Sequence, residues 1–157
     1  MERVAVTGLG TINPLGVDVA QTWAGARAGR CAISALKAPW VDEYGLAVRV
    51  AGQLPTATSE LLSAREVRRL DPATQCALIA ARQAWTQAFG STAQVDPERL
   101  AVSFSPGMGC VTTVMDAWDT LRTKGPRRVA PTTVPALMPN APAATLAMEF
   151  TARAGAH

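Results

Sequence analysis

GPRRVAPTTVPALMPNAPAATLAM, residues 125–148, is the stretch on which the interpretation of this chain depends most. Its five prolines each fix φ and remove a backbone donor, so neither a long helix nor a central strand can run through it. Asn140 is a good N-cap, and Pro142 fits the first turn of a helix that we expect to run to about Phe150. The stretch predicts a rigid, apolar and irregular wall that leads into a small-residue helix, as suits a pocket or a subunit interface.

The length and composition predict one domain over residues 1–157, with a real core. The sequence has no run of 18 apolar residues, so we expect no membrane span. It begins MERVAVTGLG, with an acid at Glu2 and no basic segment before the apolar residues, which indicates a strand and not a signal peptide. Cys31, Cys76 and Cys110 share no metal-ligand or redox spacing and fit the reduced thiols of a cytoplasmic protein.

The net charge of +3 is local in origin. Basic side chains form two groups in the sequence: Arg65, Arg68 and Arg69, and then Arg122, Lys124, Arg127 and Arg128. Each group can be a solvated face or a binding surface for an acidic macromolecule, and charge by itself leaves both open. Nucleic acid is a poor candidate partner, because no aromatic interleaving and no known binding motif accompanies the arginines.

The N-terminal third predicts two strands and a helix. Residues 3–8 are a short apolar run closed by glycine, as in a buried strand of a parallel sheet. A dinucleotide fingerprint would need a third glycine where Asn13 stands, so we interpret Gly8–Gly10 as a turn. Asp18 can cap a helix from about 19 to 28, with Trp23 facing the core, and residues 47–52 predict an edge strand.

The middle of the chain predicts two helices separated by a strand and a glycine loop. Asp71-Pro72 starts a helix that ends at about Phe89, with an alanine face that suits a central, closely packed position. Residues 99–105 predict a third strand, and 106–110 predict a tight loop in which Met108 stands out between two glycines. Apolar residues then recur at helical spacing from Val111 to Leu121. The alternation of strands and helices predicts an α/β fold with a mainly parallel sheet.

A search for a catalytic set finds none in the sequence. The only histidine is His157, and no cysteine has a histidine near it. Nucleophile-elbow, phosphate-loop and H-E-x-x-H motifs do not occur. The residues alone therefore indicate an α/β domain with a basic face and no visible active site.

Several stretches together resemble the N-terminal part of a β-ketoacyl-[acyl-carrier-protein] synthase of the elongating, thiolase-fold type. They are RVAVTGLGTINPLG with TWAGARAG, AREVRRLDPATQ, PGMGC, GPRRVAPTTVPALMPNAPA and the ending FTARAGAH. The resemblance covers essentially the whole chain and is strongest to actinobacterial members. It implies a thiolase-like α/β fold of which this chain is the incomplete N-terminal half, a mainly parallel mixed sheet covered by helices.

The resemblance also implies a reaction. The family condenses an acyl chain, held on a cysteine, with malonyl-carrier protein in fatty acid or polyketide elongation, and it uses no cofactor or metal. Its cysteine is expected a few residues beyond the position of His157, and its histidines and lysine later still, so this chain alone is expected to be inactive and to hold no catalytic residue. The alternatives are a non-catalytic partner of chain-length-factor type and, more distantly, a nucleotide-binding α/β domain.

Site residues follow from the same resemblance. Met108, between Gly107 and Gly109, is implied to gate the acyl pocket, and Thr133 and Val134 to reach across a dimer interface into the partner's acyl channel. Implied to meet an acidic acyl carrier protein are Arg65, Arg68, Arg69, Arg127 and Arg128. The implied partners also include a second copy or a second synthase subunit, but no nucleic acid and no membrane. Pro106 and Cys110 depart from the family pattern at the gate loop, and acyl chain length and pathway stay open.

Overall fold

The computed structural model describes residues 3–36, 38–90 and 95–157. Glu2, used in the argument against a signal peptide, lies outside them. The helices are α1 (Val19–Arg27), α2 (Trp40–Glu43), α3 (Ala64–Arg69), α4 (Pro72–Phe89), α5 (Val111–Lys124), α6 (Thr133–Leu137) and α7 (Ala141–Glu149). Strands β1 (Ile33–Ala35) and β2 (Val50–Gly52) form an antiparallel pair, and single 3₁₀ turns cover Thr58–Glu60, Pro97–Arg99 and Pro126–Arg128.

Most helices begin and end where local signals predict. Asp18 caps α1 by accepting from the Gln21 N–H, and Asp71 caps α4 by accepting from the Ala73 N–H. Gly90 and Gly125 end α4 and α5 with φ of +62° and +81°, values that favour glycine. Asn140 stands at the N-cap of α7 as expected, but its side chain makes no capping hydrogen bond. The longest helix that enters residues 125–148 is α7, so the prediction that neither a long helix nor a strand runs through this stretch is confirmed, whereas the short helix α6 was not predicted.

Helix α4 is the centre of the molecule. Leu78 and Ala77 are 2% exposed, and Leu78 packs in one core cluster with Leu146 of α7. On another side, the backbone around Gly8 and Gly10 lies directly on α4: a Cβ added at Gly10 would stand 1.8 Å from the Ala80 carbonyl oxygen. The small residues of α4 therefore allow a close backbone approach, as the alanine face predicts.

The strand predictions were mostly wrong. Residues 3–8 form no strand in the part of the chain that the structure describes, and Val4 and Val6 are 95% and 79% exposed. The Leu9 and Thr11 N–H groups instead donate to the side-chain oxygens of Gln87 and Gln83 on α4. A strand needs neighbouring strands to accept and donate its backbone hydrogen bonds, and no local pattern supplies them. The edge strand predicted at 47–52 is confirmed only in part, as β2.

Parallel pairing occurs between the third predicted strand and the C-terminal residues. The Val102 N–H donates to the Gly155 carbonyl, and the His157 N–H donates back to the Val102 carbonyl, at 2.9 Å each. This parallel bridge, with Val102 opposite Ala156, is extended by hydrogen bonds from the Ala154 N–H to the Leu100 carbonyl and from the Phe104 N–H to the His157 carbonyl, so the third predicted strand is confirmed in part. Apart from the β1–β2 pair, the other regular elements in the described residues are helices and 3₁₀ turns.

One prediction of burial was wrong. Trp23 is 64% exposed on α1 and does not face the core. The apolar face of α5 forms at the predicted spacing but stays open, with Val111, Val114, Met115, Trp118 and Leu121 each at least 41% exposed. Helical spacing identified this face but could not show whether a partner covers it.

Candidate functional site

The arginines at 68, 69 and 128 meet at one cleft. Helix α3 carries Arg68 and Arg69, and the 3₁₀ turn after α5 carries Arg128. All three line a cleft of about 440 Å³ between the α3–α4 junction and α5, which also includes Thr113 and Thr133 and which we call the elbow cleft. The fold thus brings together two basic groups that lie far apart in the sequence.

A second cleft adjoins the first. It has a volume of about 540 Å³, and Arg65, Arg69, Pro135, Ala141 and Met148 are among its lining residues; we call it the proline cleft. The two clefts share residues on the α3–α4 junction and on α6, among them Arg69 and Asp71. Arg127 is exposed but lines neither cleft.

The clefts combine exposed arginines with acidic side chains, of which two are ion-paired. All five predicted arginines are exposed, and none of them forms an ion pair among the described residues. The nearby Glu66 and Glu149 both bind Arg82, at 2.7 and 2.6 Å, so their charges are compensated locally. The elbow cleft is also lined by Asp71 and Asp116, which form no ion pair among the described residues, so its three arginines exceed its acidic side chains by one.

Helix α3 is held in place by charge-assisted hydrogen bonds. Ser63 and Glu66 form a capping box, in which the Ser63 N–H donates to a Glu66 carboxylate oxygen at 2.8 Å and the Glu66 N–H donates to the Ser63 hydroxyl. Hydrogen bonds from Ser63, and then from Arg82, hold the pKa of Glu66 at about 2, below its ordinary 4.5. Because Arg82 lies on α4 and Glu149 on α7, three helices are joined through these groups.

The turn between α3 and α4 is fixed by a buried amide. Gln75 is 5% exposed, and its amide nitrogen donates to the carbonyl oxygens of Val67 and Leu70 at 3.1 and 2.8 Å. Its amide oxygen accepts from the Thr58 hydroxyl. These bonds satisfy carbonyls at the C-terminal end of α3, and they set the angle at which Arg68 and Arg69 leave the body of the protein.

Asp71 joins α4 to α5. One carboxylate oxygen accepts from the Ala73 N–H and caps α4, while the other accepts from both the N–H and the hydroxyl of Thr113, each at 2.9 Å. The side chain of Asp71 is buried, at 5% exposure, and lies at the base of the elbow cleft. One turn further along α4, the Thr74 hydroxyl contacts the Cys110 sulfur at 3.8 Å.

The glycine loop at 107–109 stands on this anchored base. Met108 is 86% exposed, and a Cβ added at Gly107 would meet open space. Gly109 has φ of +75° and lies against Leu137 and Pro139, while the Cys110 sulfur lies 4.0 Å from the Met138 carbonyl oxygen. The loop therefore borders the segment that follows α6, the helix that carries Thr133 and Val134. Val134 is 64% exposed, whereas Thr133 is half-buried at the elbow cleft.

The described residues assemble no set of nucleophile and base. Burial raises the pKa of the Cys110 thiol, whose residue is 1% exposed and has no histidine beside it. Burial likewise raises the pKa of Cys76. His157 belongs to the parallel bridge through its backbone. In the same described ranges, no three side chains of the metal-binding types group together, and no helix is long and apolar enough to cross a membrane.

Sequence reasoning missed the buried polar residues that organise this site. Asp71 was interpreted only as an N-cap, and Gln75 and Thr113 were not singled out. Two adjacent polar residues, Thr74 and Gln75, near the start of an otherwise alanine-rich helix were the available signal. A buried polar side chain requires a partner, but the sequence does not say which.

The comparisons with known proteins agree on one family. The family model described as "Beta-ketoacyl synthase, N-terminal domain" matches residues 1–157. The 3-oxoacyl-[acyl-carrier-protein] synthase 2 of Mycobacterium tuberculosis is 32% identical over 97% of this chain, and that of a Staphylococcus aureus strain is 37% identical over 88%. The chain spans only 36% and 33% of the lengths of these two relatives.

Solved structures show the same fold. A β-ketoacyl synthase from Burkholderia phymatum is similar over 99% of this chain and 38% of its own, with a TM-score of 0.77 at 24% identity. The ishigamide ketosynthase/chain length factor is similar over 94% of this chain and 41% of its own, with a TM-score of 0.75 at 26% identity. A type II polyketide ketosynthase was solved with its acyl-carrier protein and bound to the hexaketide. It is similar over 96% of this chain and 39% of its own, with a TM-score of 0.70 at 20% identity.

Proposed function

Because this chain belongs to the β-ketoacyl synthase family, as its N-terminal domain, we propose that it serves the condensation of an acyl thioester with malonyl-carrier protein. The fold class is confirmed as the thiolase-like α/β type. Within that reaction the chain's own part is to dock an acidic acyl carrier protein and to form a wall of the acyl channel.

The elbow cleft is the observation that carries this proposal. Arg68, Arg69 and Arg128 converge there from two separate elements, and Arg65 extends the basic surface along the adjoining proline cleft. These arginines are exposed and form no ion pair among the described residues, although Asp116 lines the same cleft. Such surfaces steer acidic proteins and fix their orientation more than they add affinity. Arg127 contributes from the same 3₁₀ turn.

The acyl wall is proposed from the neighbouring loop and helix. Met108 and Val134 are exposed apolar side chains, on the glycine loop and on α6. A flexible thioether at an exposed loop tip suits a movable gate for an acyl chain. Thr133, smaller than an aromatic residue, leaves room for a long chain or for a partner subunit that completes the channel. Gly107 and Gly109 give the loop its freedom to move.

The docking proposal is tested by charge reversal. We expect Arg68→Glu with Arg69→Glu to weaken binding of holo acyl carrier protein by about tenfold or more in calorimetric titrations at low salt. Arg3→Glu with Arg27→Glu changes the net charge equally, at exposed arginines outside both clefts, and should change the dissociation constant by less than about twofold. Equal losses in the two variants would indicate attraction to net charge only and would contradict a docking site.

The chemistry itself is proposed to belong to other residues of the synthase. Incubation of this chain with acyl- and malonyl-carrier protein should release no carbon dioxide above background, since Cys110 is buried and its pKa is raised. Turnover that survives Cys31→Ser and Cys76→Ser and is lost in Cys110→Ser would overturn that assignment.

A second candidate is a non-catalytic partner of chain-length-factor type. The likeness to the ishigamide ketosynthase/chain length factor favours it, at 26% identity. Mixing this chain with a full-length synthase of the family separates the two functions. A stable stoichiometric complex that changes product chain length supports the partner role, and absence of any complex supports the synthase role.

A further inference from the structure

The carboxylate of Asp71 does more than cap a helix. An N-cap needs one acceptor, and the oxygen toward Ala73 supplies it. The other oxygen accepts two hydrogen bonds from one residue of α5, the N–H and the hydroxyl of Thr113. Hydrogen bonds to an ionised acceptor in a buried place are among the strong ones, and removal of either partner leaves a polar group unsatisfied.

Asp71 also connects the arginines of the elbow cleft with the loop that carries Met108. Arg68 and Arg69 precede it at the end of α3, and Gln75 locks the intervening turn by binding the Val67 and Leu70 carbonyls. On the far side, Thr113 lies in the first turn of α5, immediately after the loop that carries Met108. A displacement of the α3–α4 junction is therefore transmitted to the loop through Asp71 and Thr113.

The remaining contacts leave the loop tip free while holding its base. Cys110 is buried between the Thr74 hydroxyl and the Met138 carbonyl, whereas Met108 is exposed and Gly107 has open space around it. A loop with a fixed base and a free tip changes its tip conformation when the base moves slightly. The base here is attached to the same junction that presents the cleft arginines.

We propose that Asp71 is a positioning residue that couples occupation of the elbow cleft by the carrier protein to the conformation of the Met108 loop, through Thr113. The inference rests on the proposed function, because it takes the cleft as the docking site and Met108 as the acyl gate. Carrier binding draws the α3–α4 junction toward its acidic surface, and the Asp71 carboxylate moves the start of α5 with it. The gate thus responds to the arrival of an acyl chain on its carrier.

Asp71→Asn separates the coupling from the cap. Asparagine is as good an N-cap as aspartate, so α4 keeps its first turn. Its amide has only one oxygen, and the NH₂ that replaces the second carboxylate oxygen cannot accept from the Thr113 N–H or hydroxyl. Thr113→Val removes only the hydroxyl donor to Asp71, so it should weaken the coupling less than Asp71→Asn does. Thr113→Ser retains the hydroxyl and should retain the coupling.

The experiment is amide hydrogen exchange of the 157-residue chain, with and without holo acyl carrier protein. In the natural chain we expect the carrier to slow exchange in residues 107–114 by about fivefold, the change that a bond worth about 1 kcal/mol produces. In Asp71→Asn, at a carrier concentration that calorimetry shows to saturate the variant, bound carrier should leave exchange in 107–114 unchanged. Thr113→Val should show an intermediate response, and Thr113→Ser the full one.

The outcomes separate this inference from the docking proposal. Binding without slowed exchange in the natural chain, or undiminished slowing in Asp71→Asn, overturns the coupling and leaves docking intact. Failure of the carrier to bind the natural chain overturns both. If Asp71→Asn loses its cooperative melt, the test uses Thr113→Val instead. Slowing of exchange in 107–114 equal to that of the natural chain would then overturn the coupling.

Discussion

Helices α4 and α5 carry similar apolar patterns, yet one is covered and the other is open. On α4 the core-facing Leu78 is 2% exposed, because it packs in one core cluster with Leu146 of α7, and the backbone around Gly8 and Gly10 covers another side of the helix. On α5 the corresponding side chains, Met115 and Trp118, are 55% and 54% exposed. The difference lies in long-range partners and not in the helices themselves. Stability in this chain therefore depends on α4, whereas the apolar face of α5 is left open.

Substitution of Gly10 should have the largest effect on stability. In Gly10→Ala the new Cβ would stand 1.8 Å from the Ala80 carbonyl oxygen, so the segment must leave the face of α4. We expect a loss of about 3 kcal/mol in the free energy of unfolding, measured by urea denaturation. Gly107→Ala is the control, since its Cβ would meet open space, and it should cost less than about 1 kcal/mol. Equal losses of unfolding free energy in the two variants would mean that close packing on α4 does not order the segment around Gly10.

The hydrogen bonds that Glu66 accepts from Ser63, and then from Arg82 of α4, should make stability depend on acid pH. The pKa of Glu66 is about 2 in the folded chain, against an ordinary 4.5, so its contribution is present above about pH 4.5 and is lost as the pH falls through 2. Because Arg82 is partly exposed, we expect only about 1 kcal/mol to be lost over that interval.

Glu66→Gln tests this window, because glutamine also serves in a capping box but does not titrate. The unfolding free energy of this variant should fall less steeply between pH 5 and pH 2 than that of the natural chain. Glu98→Gln is the control, since Glu98 meets Arg153 only at an exposed 3.4 Å contact. The contribution of Glu66 would be refuted by identical pH profiles for the natural chain and Glu66→Gln.

The open face of α5 should affect association more than stability. Trp118→Lys with Met115→Lys should change the unfolding free energy by less than about 0.5 kcal/mol per substitution, because both side chains are already exposed. The natural chain is expected to dimerise or to be poorly soluble, and this variant to remain monomeric in light scattering. A sharp monomer peak together with a cooperative melt for the natural chain would contradict the idea that this face seeks a partner.

Local signals in the sequence predicted the helices well and the strands poorly. Asp18, Asp71 and Gly90 act within one or two turns, so they could be identified from neighbouring residues. Residues 3–8 have the composition of a buried strand, but a strand forms only beside partners that lie elsewhere in the sequence. The prediction that Trp23 faces the core was wrong for the same reason, because an amphipathic pattern shows which side of a helix is apolar but not which element packs against it.

The residues of the candidate site could be predicted from the sequence to about the same extent as the fold. Both basic groups are evident in the sequence, and the family resemblance implies that the first group and two arginines of the second, Arg127 and Arg128, meet a carrier protein. That Arg68, Arg69 and Arg128 share one cleft follows only from the packing of α5 beside the α3–α4 junction. The link from Asp71 to Thr113 was not predictable, because the second oxygen of an N-cap residue has no local sequence signal.

The most direct test compares the elbow cleft with the α5 face in one experiment. Isotope-labelled chain is titrated with holo acyl carrier protein, and backbone chemical shifts are followed by NMR. Docking at the cleft predicts the largest shift changes at residues 65–71 and 126–133, with reduced changes at high salt. Shifts confined to the apolar face of α5, with the arginines unaffected, would contradict the account.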